Sequence, residues 1–138
     1  MKWLSHYPIR SAGGLVLLTL PIHAALPWLQ SAYLAALSLA AVAGVYFGFA
    51  VKDGRDRSLL VESVGVVLFV AIAYGGLTYN PRLSIYGFIL HGFWDIAHTN
   101  RFKFGADIPR WYIPFCAAYD WLFAAGLWTL WIIVPALS

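Results

Sequence analysis

Long apolar stretches separated by short polar breaks dominate the chain. We place five such stretches at about residues 11–28, 32–51, 58–79, 83–98 and 113–135. Each is close to the roughly 20 apolar residues that a helix needs to cross the hydrocarbon core of a bilayer. Residues 52–57, Lys-Asp-Gly-Arg-Asp-Arg, form the strongest polar break, and residues 79–82 carry the Asn-Pro pair typical of a turn. The pattern predicts an all-α fold, a bundle of five transmembrane helices forming one domain over residues 1–138.

The composition supports a membrane protein. Apolar residues make up 62% of the chain and charged residues 11%, whereas soluble domains carry about a quarter charged residues. The net charge is +3, but the nine Lys and Arg residues are scattered and form no basic stripe, which argues against a nucleic-acid partner. With the N-terminus in the cytoplasm and the C-terminus outside, eight of the nine lie on the cytoplasmic side. We expect the lipid bilayer of a bacterial inner (plasma) membrane as the environment.

The second predicted span carries small residues at a regular spacing. Ala40, Gly44 and Gly48 recur every four residues. This spacing lets two helix backbones approach closely. We therefore expect this face of the helix to pack against another helix.

Ionisable residues interrupt the third, fourth and fifth predicted spans. Glu62 lies in the third, His91, Asp95 and His98 in the fourth, and Asp120 in the fifth. At 1.5 Å of rise per residue, Glu62, His91, Asp95 and Asp120 lie roughly 5 to 10 Å inside the cytoplasmic boundary. Charged groups at a span centre cost about 2.5–3.5 kcal/mol each on insertion scales, so they should turn inward and pair with one another. The sequence therefore predicts one inward-facing cluster.

Two chemical interpretations of the cluster remain open. Glu62, His91, Asp95 and Asp120 are candidate catalytic residues. Spacings of four and three place His91, Asp95 and His98 on one helix face, a set that suits a divalent transition metal such as zinc, iron or manganese. Alternatively, the same groups only hydrogen-bond across helices, a contribution of about 0.6 kcal/mol per bond. Cys116 lies one turn before Asp120 and faces the same way. It is either a soft ligand or nucleophile, or an inert buried thiol.

Three classes of function are compatible with this cluster. The first is a binding or catalytic site for a lipophilic small molecule that enters from the bilayer. The second is a proton-coupled transporter or channel, although the opposite half of the bundle offers only His23 among ionisable groups. The third is an accessory or scaffold subunit of an oligomer or larger membrane complex. The sequence leaves open whether the protein is an enzyme.

The last two predicted spans carry a resemblance. Residues 91–98, His-Gly-Phe-Trp-Asp-Ile-Ala-His, and residues 108–120, Ile-Pro-Arg-Trp-Tyr-Ile-Pro-Phe-Cys-Ala-Ala-Tyr-Asp, resemble a group of small bacterial multi-span membrane proteins. The resemblance covers mainly residues 83–125. It implies a multi-span membrane fold, and it implies no activity or ligand.

Overall fold

The computed structural model describes residues 5–99 and 104–133. Within them the chain forms five α-helices and a final π-helical turn: α1 (Pro8–Ala25), α2 (Trp28–Asp53), α3 (Asp56–Thr78), α4 (Arg82–Ala97), α5 (Tyr112–Trp128) and Thr129–Ile133. The described part of the chain is thus all-helical, as predicted. The predicted end of the fifth span at 135 and three of the counted cations, Lys2, Arg101 and Lys103, lie outside the described residues.

Local sequence signals set the helix boundaries. Gly54 ends α2 in the left-handed region, with φ +72°, and its N–H donates to the carbonyl of Ala50. Asn80 accepts the Arg82 N–H on its side-chain oxygen at 3.0 Å, at the start of α4. Pro114 lies in the first turn of α5, where its missing N–H costs no intrahelical hydrogen bond. These signals explain why the polar breaks are short.

Three of the described helical segments are long and apolar enough to cross a membrane. They are Trp28–Asp53, Asp56–Thr78 and Tyr112–Ile133. The predicted number was five, and the predicted spans at 11–28 and 83–98 do not qualify. The 16 residues of α4 rise only about 24 Å, less than the hydrocarbon thickness of about 30 Å. In α1, the apolar stretch is interrupted by Arg10, His23 and two prolines.

The helices pack as neighbours around a shared interior. The closest pairs are α2 with α3, α4 with α5 and α1 with α5, and α3 also packs on α4. The buried face of α2 includes Ala36, Leu39, Ala43 and Tyr46. Gly44 and Gly48 lie on an exposed face, and a Cβ built at either glycine meets open space. Within the described residues the expected packing is therefore not made at Gly44 and Gly48, whereas Ala40 is half-buried against the core.

Polar groups lie inside the bundle and apolar groups lie outside. Leu17, Leu18 and Val67 are 70 to 75% exposed, whereas Glu62 and His91 are fully buried. Such an apolar exterior is unfavourable in water but matches the hydrocarbon of a bilayer. The buried carboxylates, together with His91 and His98, lie toward the end of the bundle that carries residues 53–57 and 104–111, which we call the loop end.

Candidate metal centre

Two helices supply four potential metal ligands that face one another. His91 and Asp95 lie one turn apart on α4, and Cys116 and Asp120 lie one turn apart on α5. One ligand atom from each residue lies within 4.8 Å of the ligand atoms of the other three, and all four residues are buried. We call this set the four-residue group. It is compact enough that one metal ion can be held by all four side chains.

Hydrogen bonds orient part of this group. The His91 Nδ1 atom lies 2.6 Å from Asp120 Oδ2 and 3.5 Å from Asp95 Oδ1. From α2, the Tyr46 hydroxyl donates to Asp95 Oδ1. Because Tyr46 occupies one carboxylate oxygen of Asp95, the other oxygen is left for a different partner.

Three polar atoms of the group have no hydrogen-bond partner among the residues that the structure describes. They are His91 Nε2, Asp95 Oδ2 and Asp120 Oδ1, and each is buried. An unsatisfied buried polar atom costs about 1–3 kcal/mol, so folded proteins leave few of them without a ligand, ion or water. Two oxygens and one nitrogen with unused capacity fit the donor set of a divalent transition metal.

The formal charge of the group also fits a divalent cation. Ionised Asp95 and Asp120 with a neutral His91 and a neutral Cys116 carry a charge of −2, and a Cys116 thiolate makes this −3. A divalent ion brings the total to zero in the first case and to −1 in the second. Charge balance matters here because the side chains of His91, Asp95 and Asp120 are fully shielded from solvent.

A second polar pair lies closer to the loop end. Glu62 of α3 places Oε1 2.6 Å from His98 Nε2, and the same oxygen accepts the Ala106 N–H at 2.9 Å. His98 Nδ1 lies 2.8 Å from the carbonyl oxygen of Trp94. Glu62 Oε2 is buried and has no hydrogen-bond partner in the described ranges. We call Glu62 and His98 the loop-end pair.

The ring of Tyr46 contacts the histidines of both polar sets. Its centroid lies 5.4 Å from the His91 ring and 5.0 Å from the His98 ring. Tyr46 was not among the residues that the sequence singled out. The available signal was its place in the alanine-rich buried face of α2, where a hydroxyl requires a partner. Its ring and its hydrogen bond to Asp95 connect the loop-end pair to the four-residue group.

The structure divides the predicted cluster in two. Glu62, His91, Asp95, His98 and Asp120 are all buried, as an inward-facing cluster requires. Of the predicted metal set, His91 and Asp95 belong to the four-residue group. The side chain of His98 instead pairs with Glu62, and the group takes Cys116 and Asp120 from α5.

His23 belongs to a separate polar contact near the opposite end of the bundle. Its Nδ1 lies 2.9 Å from Ser31 Oγ, which also accepts the Trp131 indole N–H at 3.0 Å. The ring of Phe123 packs against His23 at 5.1 Å and against Phe88 at 5.0 Å. Phe88 lies one turn before His91 on α4, so this aromatic pair lies between His23 and the four-residue group.

A loop segment covers the loop-end pair. Gly105 has φ +68°, and its carbonyl accepts hydrogen bonds from Ser58 Oγ at 3.2 Å and from Arg55 at 3.3 Å. The Asp107 N–H donates to Asp53 at 3.3 Å. The Asp53 carboxylate also accepts hydrogen bonds from Arg55 and raises the pKa of that guanidinium above its ordinary value. Side chains of α2, α3 and the turn between them thus hold the loop across the bundle end.

Comparisons of the chain with protein family models, with curated proteins and with solved structures found no match. The functional argument therefore rests on the geometry of the buried residues.

Proposed function

We propose that this chain is an integral membrane protein that binds a divalent transition metal inside its helical bundle. His91, Asp95 and Asp120 are the principal ligands, and Cys116 is the fourth donor. The observation that carries the proposal is the convergence of four ligand atoms within 4.8 Å at a fully enclosed position. Three polar atoms of these residues have no hydrogen-bond partner in the described part of the chain, as a ligand site requires.

The donor types favour some metals over others. One imidazole nitrogen with two carboxylate oxygens suits zinc, iron or manganese, and the thiol favours zinc or iron over manganese. Two carboxylates also disfavour Cu(I), which prefers thiolate and thioether sulfur. When bound, such an ion supplies Lewis-acid or redox chemistry in a site without bulk water. Tyr46 holds the Asp95 carboxylate in one orientation toward it.

We further propose that all five helices cross a bacterial inner membrane, with the loop end in the cytoplasm. The apolar exterior of the bundle supports insertion into a bilayer. Of the six described cations, five lie at the loop end and only Arg82 at the other, which agrees with the positive-inside rule; the five are Arg10, Lys52, Arg55, Arg57 and Arg110. The short α4 packs against both α3 and α5, so neighbouring helices hold it within the bundle.

A lipophilic small molecule is the ligand class that best fits the surroundings of the metal centre. A cavity of about 600 Å³ opens on the bundle exterior between α4 and α5. Its apolar lining includes Ile89, Phe93 and Trp121, and Trp121 directly follows the ligand Asp120. A molecule that enters this cavity from the hydrocarbon region would therefore lie beside the helix turns that carry the metal ligands. A transporter is less well supported, since Phe88 and Phe123 fill the space between the centre and His23.

Metal content of the purified full chain tests the proposal. We expect close to one equivalent of a transition metal in the wild type after purification without chelator. Asp95→Asn and Asp120→Asn each remove one ligand charge while keeping the side-chain shape, and we expect both to lose the metal. Asp56→Asn is the matched control, because Asp56 is an exposed carboxylate in the first turn of α3.

Helical content by circular dichroism and a single gel-filtration peak establish folding for every variant. A folded wild type that takes up no Zn²⁺, Co²⁺, Fe²⁺ or Mn²⁺ contradicts the proposal. Equal metal content in the wild type and in folded Asp95→Asn also contradicts it. In either case the polar network has a structural role, and the accessory-subunit hypothesis gains support.

A further inference from the structure

The hydrogen bonds of the loop-end pair leave a position between Glu62 and His98 that either a proton or a metal cation can occupy. The Trp94 carbonyl can only accept a hydrogen bond, so His98 Nδ1 carries a proton and donates it across 2.8 Å. His98 Nε2 then faces Glu62 Oε1 at 2.6 Å. A lone pair and a carboxylate oxygen do not lie this close unless a positive species lies between them. A proton shared by Glu62 and His98 is one such species, and a metal cation is another.

The same hydrogen-bond pattern is typical of histidines that bind metals. A ligating histidine usually donates its other ring N–H to a carbonyl or carboxylate, which fixes the tautomer and aims the free nitrogen at the ion. Glu62 adds a second feature that points to a ligand, because Oε2 is fully buried and has no hydrogen-bond partner among residues 5–99 and 104–133. Two protein ligands with water in the remaining positions suffice for a weak divalent-cation site.

A polar cavity reaches His98 of this pair from the solvent side of the loop end. Its volume is about 480 Å³, and its charged lining residues are Asp53, Asp107 and Arg55, whose guanidinium is paired with Asp53 at 2.6 Å. Both polar sets are only 0 to 3% exposed, but His98 lines this cavity and no member of the four-residue group does, so an ion from solvent meets the loop-end pair first. The ring of Tyr46, which contacts both His98 and His91, connects the two polar sets.

We propose that Glu62 and His98 form a second, weaker cation site through which a divalent ion passes from the loop-end cavity to the four-residue group. This inference rests on the proposed metal-binding function. The incoming ion takes the place of the shared proton, which leaves to water in the cavity. The ion then moves past Tyr46 to the four-residue group, where two carboxylates hold it more tightly than one.

Titration of the metal-free full chain in detergent with Co²⁺, followed by visible absorption, tests the second site. We expect a tight phase and a weaker phase in the wild type. Glu62→Gln keeps the side-chain shape and an acceptor for the Ala106 N–H, and it should remove the weaker phase while keeping the tight one. His98→Gln should do the same, so the test does not depend on the folding of a single variant. Asp56→Asn, the exposed carboxylate of the same helix, should keep both phases.

The loading rate of the tight site tests the passage of the ion. We expect Glu62→Gln and His98→Gln to slow Co²⁺ loading by about tenfold or more, the usual effect of removing a residue that supports a metal site. Asp56→Asn should load at the wild-type rate. A tight phase without a weaker one in the wild type, or unchanged loading in both loop-end variants, overturns this inference alone. Absence of both phases in folded wild type overturns the proposed function as well.

Discussion

Removal of the Tyr46 hydroxyl should weaken metal binding without disturbing the fold. Tyr46→Phe deletes one oxygen, and the ring keeps its contacts with His91 and His98 at 5.4 and 5.0 Å. The lost interaction is the hydrogen bond to Asp95 Oδ1. After the change this oxygen has no hydroxyl donor, and the Asp95 carboxylate is free to rotate away from the geometry that faces the metal.

The size of the effect follows from the charge of the acceptor. Hydrogen bonds to charged groups contribute about 1.5–3 kcal/mol. Since about 1.4 kcal/mol corresponds to a tenfold change in an equilibrium constant, the metal dissociation constant should rise by about 10- to 100-fold. Removal of a partner that orients a metal ligand typically weakens binding over the same range.

Competition between the protein and a chromophoric chelator for Co²⁺ or Zn²⁺ measures this change. Tyr74→Phe is the matched control, because Tyr74 is 61% exposed on the outer surface of α3. The metal dissociation constant of this variant should equal that of the wild type. If Tyr46→Phe binds the metal within about twofold of the wild type, the hydroxyl does not orient a ligand, and the reasoning about Asp95 is refuted.

Three further predictions concern packing and access. Gly92→Ala places a Cβ against the Trp121 indole and should lower the free energy of unfolding by about 1–3 kcal/mol. Gly44→Ala places its Cβ in open space and should leave the free energy of unfolding unchanged or raise it by up to about 1 kcal/mol. Equal values from denaturant titrations of these two variants would show that α4 and α5 are not in close contact there. Gly105→Ala forces a residue with a Cβ into the left-handed region at φ +68° and should lower the free energy of unfolding by about 1–2 kcal/mol, measured as a lower melting temperature. An unchanged melting temperature would contradict this loop conformation. Cys116 is 3% exposed and should react with a water-soluble maleimide only after unfolding in SDS, so rapid labelling of the native chain would contradict its buried position.

The sequence predicted the interior chemistry better than the membrane topology. Residues one helical turn apart share a face, so His91 with Asp95 and Cys116 with Asp120 could each be paired from their spacing. The cost of a lone ionisable group in an apolar helix then predicted that these faces turn inward, and both are buried. Spacing within one helix does not specify the partner across the bundle, so the separation of His98 from the four-residue group required the structure.

Two features depend on long-range contacts that no local pattern encodes. Ala106 binds Glu62 across 44 positions of sequence, and Tyr46 binds Asp95 across 49. The spacing of Ala40, Gly44 and Gly48 predicted a packing face, yet α2 buries a different face that is also rich in small residues. Because several faces of an alanine-rich helix allow close approach, the spacing alone does not select one.

The central claim is that His91, Asp95 and Asp120 bind a metal ion inside the bundle, and X-ray absorption spectroscopy of the metal-loaded chain tests it most directly. With less than one equivalent of Zn²⁺ bound, we expect nitrogen and oxygen neighbours at about 2.0–2.2 Å, the multiple scattering of one imidazole, and at most one sulfur at about 2.3 Å. A first shell of water oxygens alone, or a shell with two or more imidazoles, would contradict the assignment of these three residues as the ligands.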